Sequence, residues 1–119
     1  MSSAKHNIII EQGATFSDAL IVNQPGLPTT PMDLTGYDAR MMIRVDYADV
    51  VPIIALDLTN QRLKITTPAS GRIDRLISAT DTALFTFESA VYDLEIQSPD
   101  GTVTRLVQGR VALSKNVTK

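Results

Sequence analysis

The feature of this sequence that most constrains its fold is an alternation of apolar and polar residues, which turn-forming residues interrupt along almost the whole chain. A period of two is typical of β-strands with one buried face, whereas an amphipathic helix repeats about every 3.6 residues. In the clearest strand, over residues 37–47, the positions predicted to face the core are Ala39, Met41, Ile43 and Val45. Over residues 89–97 they are Tyr92, Leu94 and Ile96.

Turn residues divide the chain into about seven or eight short strands, with turn signals every ~8–12 residues, which is the spacing of a β-sandwich. The length of 119 residues is that of one domain. We predict an all-β, immunoglobulin-like β-sandwich of short antiparallel strands that spans residues 1–119 as a single domain, with a small β-barrel as the alternative. The ends, at about residues 1–6 and 114–119, are expected to be flexible.

One helical turn is predicted near residues 79–84. Ser78-Ala79-Thr80-Asp81 matches the S-x-x-[DE] signal, in which the serine and the acid satisfy the free backbone donors of a helix start. Because the pattern breaks after Phe85, we expect a single turn rather than a helix that packs on the core.

Three segments depart from simple alternation. In the candidate strand 14–22, Asp18 falls on the same face as Phe16 and Leu20, so a bulge or a strand end is required there. Residues 23–36 hold three prolines and two glycines, which predicts a long surface connection and the best candidate for an exposed functional loop. Residues 50–58 are apolar at both parities and include Pro52, which predicts an edge strand partly covered by another molecule.

Composition excludes several classes of protein. With 44% hydrophobic and 20% charged residues the chain is predicted to be neither disordered nor a membrane protein, and no apolar run approaches the ~20 residues that cross a bilayer. Eleven basic residues against thirteen acidic ones give a formal charge of −2, and the basic residues are scattered. Since phosphate neutralisation supplies most non-specific nucleic-acid affinity, nucleic acid is not an expected partner. A membrane is not expected either, because no long apolar run is present.

The residues that catalysis and metal binding need are scarce. The chain has no cysteine, and His6 is its one histidine, in the segment before the first predicted strand. A Ser-His-Asp arrangement or a transition-metal site is therefore not expected, and no glycine-rich phosphate-binding motif is present. We predict that the protein is not an enzyme and has no cofactor, no metal and no small-molecule substrate.

The remaining charged residues are predicted to form solvated faces. Asp93 and Glu95 share one strand face, ~6–7 Å apart by strand geometry. The outward-facing arginines are predicted to be Arg40, Arg44, Arg105 and Arg110, chiefly as a solubilising face. Turn or bulge positions are predicted for Gly71, Gly101 and Gly109.

A protein made of strands presents sheet edges, and an unpaired edge is a template for another chain. Self-assembly or partner binding is thus expected through the loop 24–33 and the strand 50–58. The residues predicted to form this protein interface are Gln24, Leu27, Met32, Val50, Val51, Ile53, Ile54 and Leu56.

Several segments, taken in order, carry a resemblance to a known group of proteins. They are G-A-T-F at 13–16, D-L-T-G-Y-D-A-R-M-M-I-R at 33–44, Y-D-L-E at 92–95, S-P-D-G-T-V-T-R-L at 98–106 and G-R-V at 109–111. This set resembles small virion proteins of tailed bacteriophages and the immunoglobulin-like N-terminal modules that anchor baseplate and fibre proteins.

The resemblance implies a non-enzymatic structural role in a virion, as a tail, baseplate or neck adaptor or a fibre-anchoring component. Its implied partners are other virion proteins and copies of the chain itself. No signal peptide is evident because the apolar run Ile8–Ile10 is too short, so assembly in the host cytoplasm is expected. The alternatives are a capsid decoration protein and a module that binds carbohydrate or a host surface. For the latter the supply of aromatic residues is thin, with Tyr37, Tyr47 and Tyr92 but no tryptophan.

Overall fold

The computed structural model describes residues 4–117, and strands dominate it. Within these residues the strands are β1 Ala4–Lys5, β2 Ile8–Glu11, β3 Phe16–Ile21, β4 Asn23–Gln24, β5 Leu27–Pro31, β6 Asp38–Arg44, β7 Ile54–Asp57, β8 Leu63–Lys64, β9 Arg72–Ile77, β10 Ser89–Gln97 and β11 Val103–Ser114. A 3₁₀ turn covers Pro68–Ser70, and the helix α1 covers Ala79–Ala83.

The strands form a larger sheet, a smaller sheet and a separate hairpin. The larger sheet has the order β1-β11-β10-β6-β7, and β2 also pairs with β11. The smaller sheet has the order β3-β9-β8, and β4 pairs with β5 as the hairpin. Buried side chains from both sheets form one core cluster between them, so the predicted all-β sandwich is confirmed.

The predicted inward positions of the two clearest strands line this core. Ala39, Met41 and Ile43 of β6 are buried, as are Tyr92, Leu94 and Ile96 of β10. Val45 is an error of the prediction, since it is more than half exposed. The reason is that β6 ends at Arg44, so the alternation no longer sets the direction of the next side chains.

Not every pairing is antiparallel. β1 and β2 run parallel to β11, so the start and the end of the chain lie side by side in the larger sheet. Gly109 is in the regular part of β11 rather than in the turn or bulge that we predicted, and a Cβ there would clash with the His6 carbonyl oxygen. A glycine is needed because His6, just after β1, lies so close to the β11 backbone.

Parts of the two chain ends that we predicted to be flexible belong to strands or make hydrogen bonds. Ala4 and Lys5 belong to β1, and the His6 N–H donates to the Gln108 carbonyl at 2.9 Å. At the other end, β11 includes Ser114, and the Asn116 N–H donates to the Gln12 side chain at 3.2 Å. The rest of that prediction, residues 1–3 and 118–119, lies outside the described residues.

The predicted helical turn is confirmed. Ser78 Oγ accepts from the Asp81 N–H at 3.2 Å, as expected of an N-cap. The Asp81 carboxylate pairs with the Arg62 guanidinium at 3.0 Å, which ties the turn to the residues before β8.

The two proline-containing segments differ in how much strand they form. The predicted surface connection at 23–36 contains the β4–β5 hairpin. In the second, the strand is limited to Ile54–Asp57, which does lie at the edge of the larger sheet. Residues 50–53 are outside the strand because Pro52 cannot donate to a ladder.

Candidate protein-interaction surfaces

The β4–β5 hairpin, residues 23–31, projects from the sandwich, and we call it the arm. Every arm residue whose side chain the structure describes is exposed. Gly26 has a φ of +75°, which lets the chain turn at the end of the arm next to the half-exposed Leu27. Two of the predicted interface residues, Gln24 and Leu27, lie here.

The root of the arm is tightly held. The Val22 N–H donates to the Gly71 carbonyl at 2.7 Å, and the Met32 N–H donates to the Val22 carbonyl at 2.9 Å. Gly71 has a φ of +67°, and a Cβ there would clash with the Val22 carbonyl oxygen. Met32, another predicted interface residue, is half-buried against the core. The Met32 side chain therefore packs at the base of the arm and leaves little surface for a partner.

A second projection joins β6 to β7 at residues 45–53, and we call it the tip. Val50 and Val51 are 87% and 80% exposed, and Val45 and Tyr47 are each more than half exposed. A single exposed apolar residue is ordinary, but a cluster of them marks a contact surface. Val50 and Val51, both predicted interface residues, therefore belong to a loop that carries four exposed apolar side chains.

The tip has a defined backbone. The Asp49 N–H donates to the Asp46 carbonyl at 3.0 Å, and the Asp46 N–H donates to Asp49 Oδ2 at 3.2 Å. The Ile53 N–H donates to the Ile43 carbonyl at 2.7 Å and closes the loop onto β6. Ile53, predicted at the interface, is half-buried at this closure.

The edge strand β7 does not offer the surface that the sequence predicted. Ile54 and Leu56, both predicted interface residues, point into the core and are buried. The free side of β7 is covered by two side chains: the Ala55 carbonyl accepts from Asn60 Nδ2 at 2.9 Å and from Arg62 Nη1 at 3.0 Å. Such side-chain capping is one way in which proteins block an edge, so contact is left to the arm and the tip.

The arm and the tip lie near opposite ends of strand β10. Tyr47 of the tip lines a depression with Val91, near the start of β10. Pro25 of the arm lines a cleft with Ser98, just past the end of β10. The strand between these points spans ~20 Å at the usual rise per residue, and the molecule is 43 Å along its longest axis.

A charged pair inside the core is the main feature that the sequence prediction missed. Arg75 is fully buried, and its Nε and Nη2 donate to the two carboxylate oxygens of Asp18 at 2.7 and 2.5 Å. The guanidinium also lies 5.8 Å from the Phe16 ring centre and 5.6 Å from that of Tyr92. β3 pairs with β9 in unbroken register, so Asp18 needs neither the bulge nor the strand end that we predicted.

Two groups in the core have shifted pKa values. Burial opposes the charge on Arg75, but the hydrogen bond and charge of Asp18 outweigh it and raise the pKa of Arg75 above its usual value. Burial also raises the pKa of the Tyr92 hydroxyl, which donates to the His6 carbonyl at 2.5 Å. A signal for the pair was present, since Arg75 alternates with Ile73 and Ile77 just as Asp18 shares a face with apolar residues.

The outer face of the larger sheet carries ion pairs between residues that we predicted to form solvated faces. Arg40 lies 3.8 Å from Glu95, and Arg105 lies 3.5 Å from Asp93. Each of the two carboxylates that share this face therefore has an arginine beside it. Within residues 4–117, no group of three or more His, Cys, Asp or Glu side chains could hold a metal ion.

In the part of the chain that the structure describes, no helix is long and apolar enough to cross a membrane. Neither a protein-family model nor a curated protein matches this sequence.

Proposed function

We propose that the chain is a non-enzymatic structural component of a tailed-bacteriophage virion, which joins neighbouring proteins through its arm and its tip. The observation that carries this proposal is the pair of ordered, exposed projections near opposite ends of strand β10. The place in the particle that we favour is a tail, baseplate or neck adaptor, or a fibre-anchoring component, as the sequence resemblance implies.

The exposure of the tip supports a contact role. Val50 and Val51 contribute almost nothing to the core because they are more than three-quarters exposed. Apolar side chains gain free energy only when they leave water. A partner surface that covers these two side chains would therefore be bound more favourably.

The placement of the two projections supports a linking role. Two different patches near opposite ends of one strand favour heterologous contacts, in which one patch of a molecule meets a different surface on its neighbour. Such contacts build rings when the rotation closes and filaments when it does not. A sandwich that binds sugars would instead need exposed aromatic rings, and of the three tyrosines Tyr92 is buried, Tyr37 half-buried and Tyr47 exposed.

Incorporation into particles tests the proposal. Phage particles are purified by density gradient from cells that express the tagged chain, and the chain is measured by quantitative mass spectrometry. We expect a fixed ratio of the chain to the major particle proteins for the wild type and for Leu84→Ser. That control replaces an equally exposed apolar residue at the end of α1, far along the chain from both projections.

The double variant Val50→Ser with Val51→Ser is expected to fold normally and to be lost from the particles. Absence of the wild-type chain from purified particles would overturn the virion role. Equal incorporation of the double variant and the control would show that the tip is not the contact. Light scattering across a concentration series then separates a self-assembling ring from an adaptor, because an adaptor alone remains a monomer.

A further inference from the structure

A depression of about 210 Å³ lies on the outer face of the larger sheet, beside the tip. Val91 faces outward from β10 at this point, yet it is buried. The depression is lined by Val91 together with Met42, Arg44, Tyr47, Asp93 and Arg105. An outward-facing valine that is buried forms an apolar floor, and the charged and aromatic groups form its walls.

Arg44 is incompletely satisfied in this depression. Its Nε is buried and has no hydrogen-bond partner among the described residues. Its Nη2 donates to the Met42 sulfur at 3.2 Å, and a thioether is a weak acceptor. A buried donor without a partner costs free energy, and a charged group costs more than a neutral one. The guanidinium therefore lacks the oxygen acceptors that its geometry is built to meet.

A second cation flanks the same floor. In the sheet register, Val91 is opposite Arg44 on one side and Arg110 on the other. The Cα atoms of the two arginines are therefore ~10 Å apart on the same face. Among residues 4–117 the Arg110 side chain has no ion-pair partner.

The acids of this face do not compensate these two arginines. Asp93 is beside Arg105 and Glu95 is beside Arg40, at 3.5 and 3.8 Å. Arg44 and Arg110 thus remain as two positive charges on either side of an apolar floor, on a molecule whose formal charge is −2.

We propose that this depression binds the side-chain carboxylate of an acidic segment of a partner protein. Arg44 donates through its two terminal Nη groups in the bidentate geometry that carboxylates favour, because Nε is enclosed by the protein's own atoms and an outside oxygen does not reach it. The methylene groups of a glutamate lie on Val91 and Tyr47, and Arg110 faces a second carboxylate of the same segment. The depression shares only Tyr47 with the tip, so this site is separate from the projections used above and stands or falls without them.

A protein carboxylate fits this site better than a nucleic-acid phosphate. Nucleic-acid binding needs several cations along a stripe, because affinity grows with the number of phosphates neutralised. On this face only two arginines, Arg44 and Arg110, lack acidic partners among residues 4–117, which is too few for such a stripe. The apolar floor also matches the stem of a glutamate rather than a bare phosphate.

The test is a nuclear magnetic resonance titration of the full chain at low ionic strength. The probe is hexaglutamate with an acetylated N-terminus and an amidated C-terminus, so that only side-chain carboxylates are offered. We expect the Arg44 Nε–H resonance to move in a saturable way, and added salt to reverse the shift. Blocked hexaglutamine serves as the neutral probe and oligothymidylate as the phosphate probe.

Matched variants separate a specific site from general charge attraction. Arg44→Gln is expected to weaken hexaglutamate binding roughly 10-fold, the effect of losing a charge-assisted hydrogen-bond pair. Arg44→Lys should give an intermediate loss of affinity, because the positive charge remains while the planar guanidinium that donates two hydrogen bonds is removed. Arg72→Gln makes the same charge change on the smaller sheet, where Arg72 pairs with Asp74, and should leave the affinity within about twofold.

Three results would overturn the proposal: no saturable shift of Arg44 with hexaglutamate, an equal loss of affinity in Arg44→Gln and Arg72→Gln, or tighter Arg44-dependent binding of oligothymidylate. The Arg44 resonance is read in the wild-type chain, so the first of these results does not depend on the folding of any variant.

Discussion

Arg75 places a full positive charge inside the sandwich. An unpaired charge there would be unfavourable by several kcal/mol, and the pair with Asp18 is tolerated because both carboxylate oxygens meet the guanidinium. The rings of Phe16 and Tyr92 add a second favourable contact for the cation. The pair also sets the register of β3 against β9, because Asp18 lies directly opposite Arg75 in the ladder.

Removing the acid should be more harmful than removing the pair. Asp18→Ala leaves the guanidinium unpaired and is expected to lower the free energy of unfolding by roughly 2–4 kcal/mol. The double variant Asp18→Leu with Arg75→Met should recover most of that loss, since apolar side chains can replace a buried ion pair. Urea denaturation measures all three chains.

Arg72→Ala is the control, because it breaks the exposed pair with Asp74 and should cost less than about 1 kcal/mol. An Asp18→Ala chain as stable as this control would contradict the role assigned to the pair.

The turn between β10 and β11 should titrate at low pH. Hydrogen bonds from the Ser98 hydroxyl and the Thr102 N–H hold the pKa of the exposed Asp100 carboxyl below its ordinary value of about 3.9. Because the folded-state pKa is lowered, the contribution to stability is complete above the ordinary value and is lost as the pH falls through the lowered one.

Ser98→Ala is expected to move the Asp100 pKa upward, as measured by carboxyl resonances against pH. The Asp33 pKa, which Thr35 lowers in a separate turn, should be unchanged in the same variant. An Asp100 pKa that Ser98→Ala does not move would show that the hydroxyl is not its main partner.

At the scale of elements, the edge of the larger sheet is closed by side chains. Asn60 accepts from the Asp57 N–H at 3.1 Å and donates to the Ala55 carbonyl at 2.9 Å, so it occupies backbone groups that a further strand would use. Arg62 shares the Ala55 carbonyl at 3.0 Å. A strand that looked available from its apolar sequence is thus unavailable for pairing.

Asn60→Ala should reopen this edge. The variant is expected to lose about 1–2 kcal/mol of stability through broken hydrogen bonds, and to show a higher mass than the wild type at equal concentration in light scattering. Thr59→Ala, an exposed neighbour in the same turn, is the matched control. If Asn60→Ala keeps the wild-type mass at every concentration, the Asn60 side chain is not what protects the edge.

At the scale of the whole molecule, one core supports surfaces with different chemistry. The arm and the tip project near opposite ends of strand β10, and the outer face of the larger sheet lies between them with its arginines. The core residues of both sheets form a single cluster, which gives these surfaces fixed relative positions. A rigid body of this kind suits a protein that holds neighbours in a set geometry.

Much of this architecture could be predicted from local pattern. The alternation in β6 and β10 correctly placed Met41 and Leu94 in the core, and the Ser78–Asp81 signal correctly placed the helical turn. The prediction of outward arginines also holds for Arg40 and Arg105, which pair with acids on the outer face. These features depend on side chains within a few residues of each other.

Three features were missed because contacts between distant segments of the chain decide them. Asp18 looked misplaced because its partner, Arg75, lies 57 positions away in the chain. Ile54 and Leu56 looked available because an apolar edge strand cannot show, by itself, which parity the core covers. The unpaired Arg44 was missed because its lack of an acceptor is a property of the neighbouring strands.

The period-two strands, the turns between them and the absence of cysteine follow directly from the sequence, because they are properties of the residues and of short-range sterics. The parallel pairing of β1 and β2 with β11, the pairing of the buried Arg75 with the half-buried Asp18, and the exposure of the tip are seen only in the fold. Burial, charge pairing and edge protection depend on which distant segments come together. The free energy of those contacts therefore cannot be derived from any single stretch of the chain.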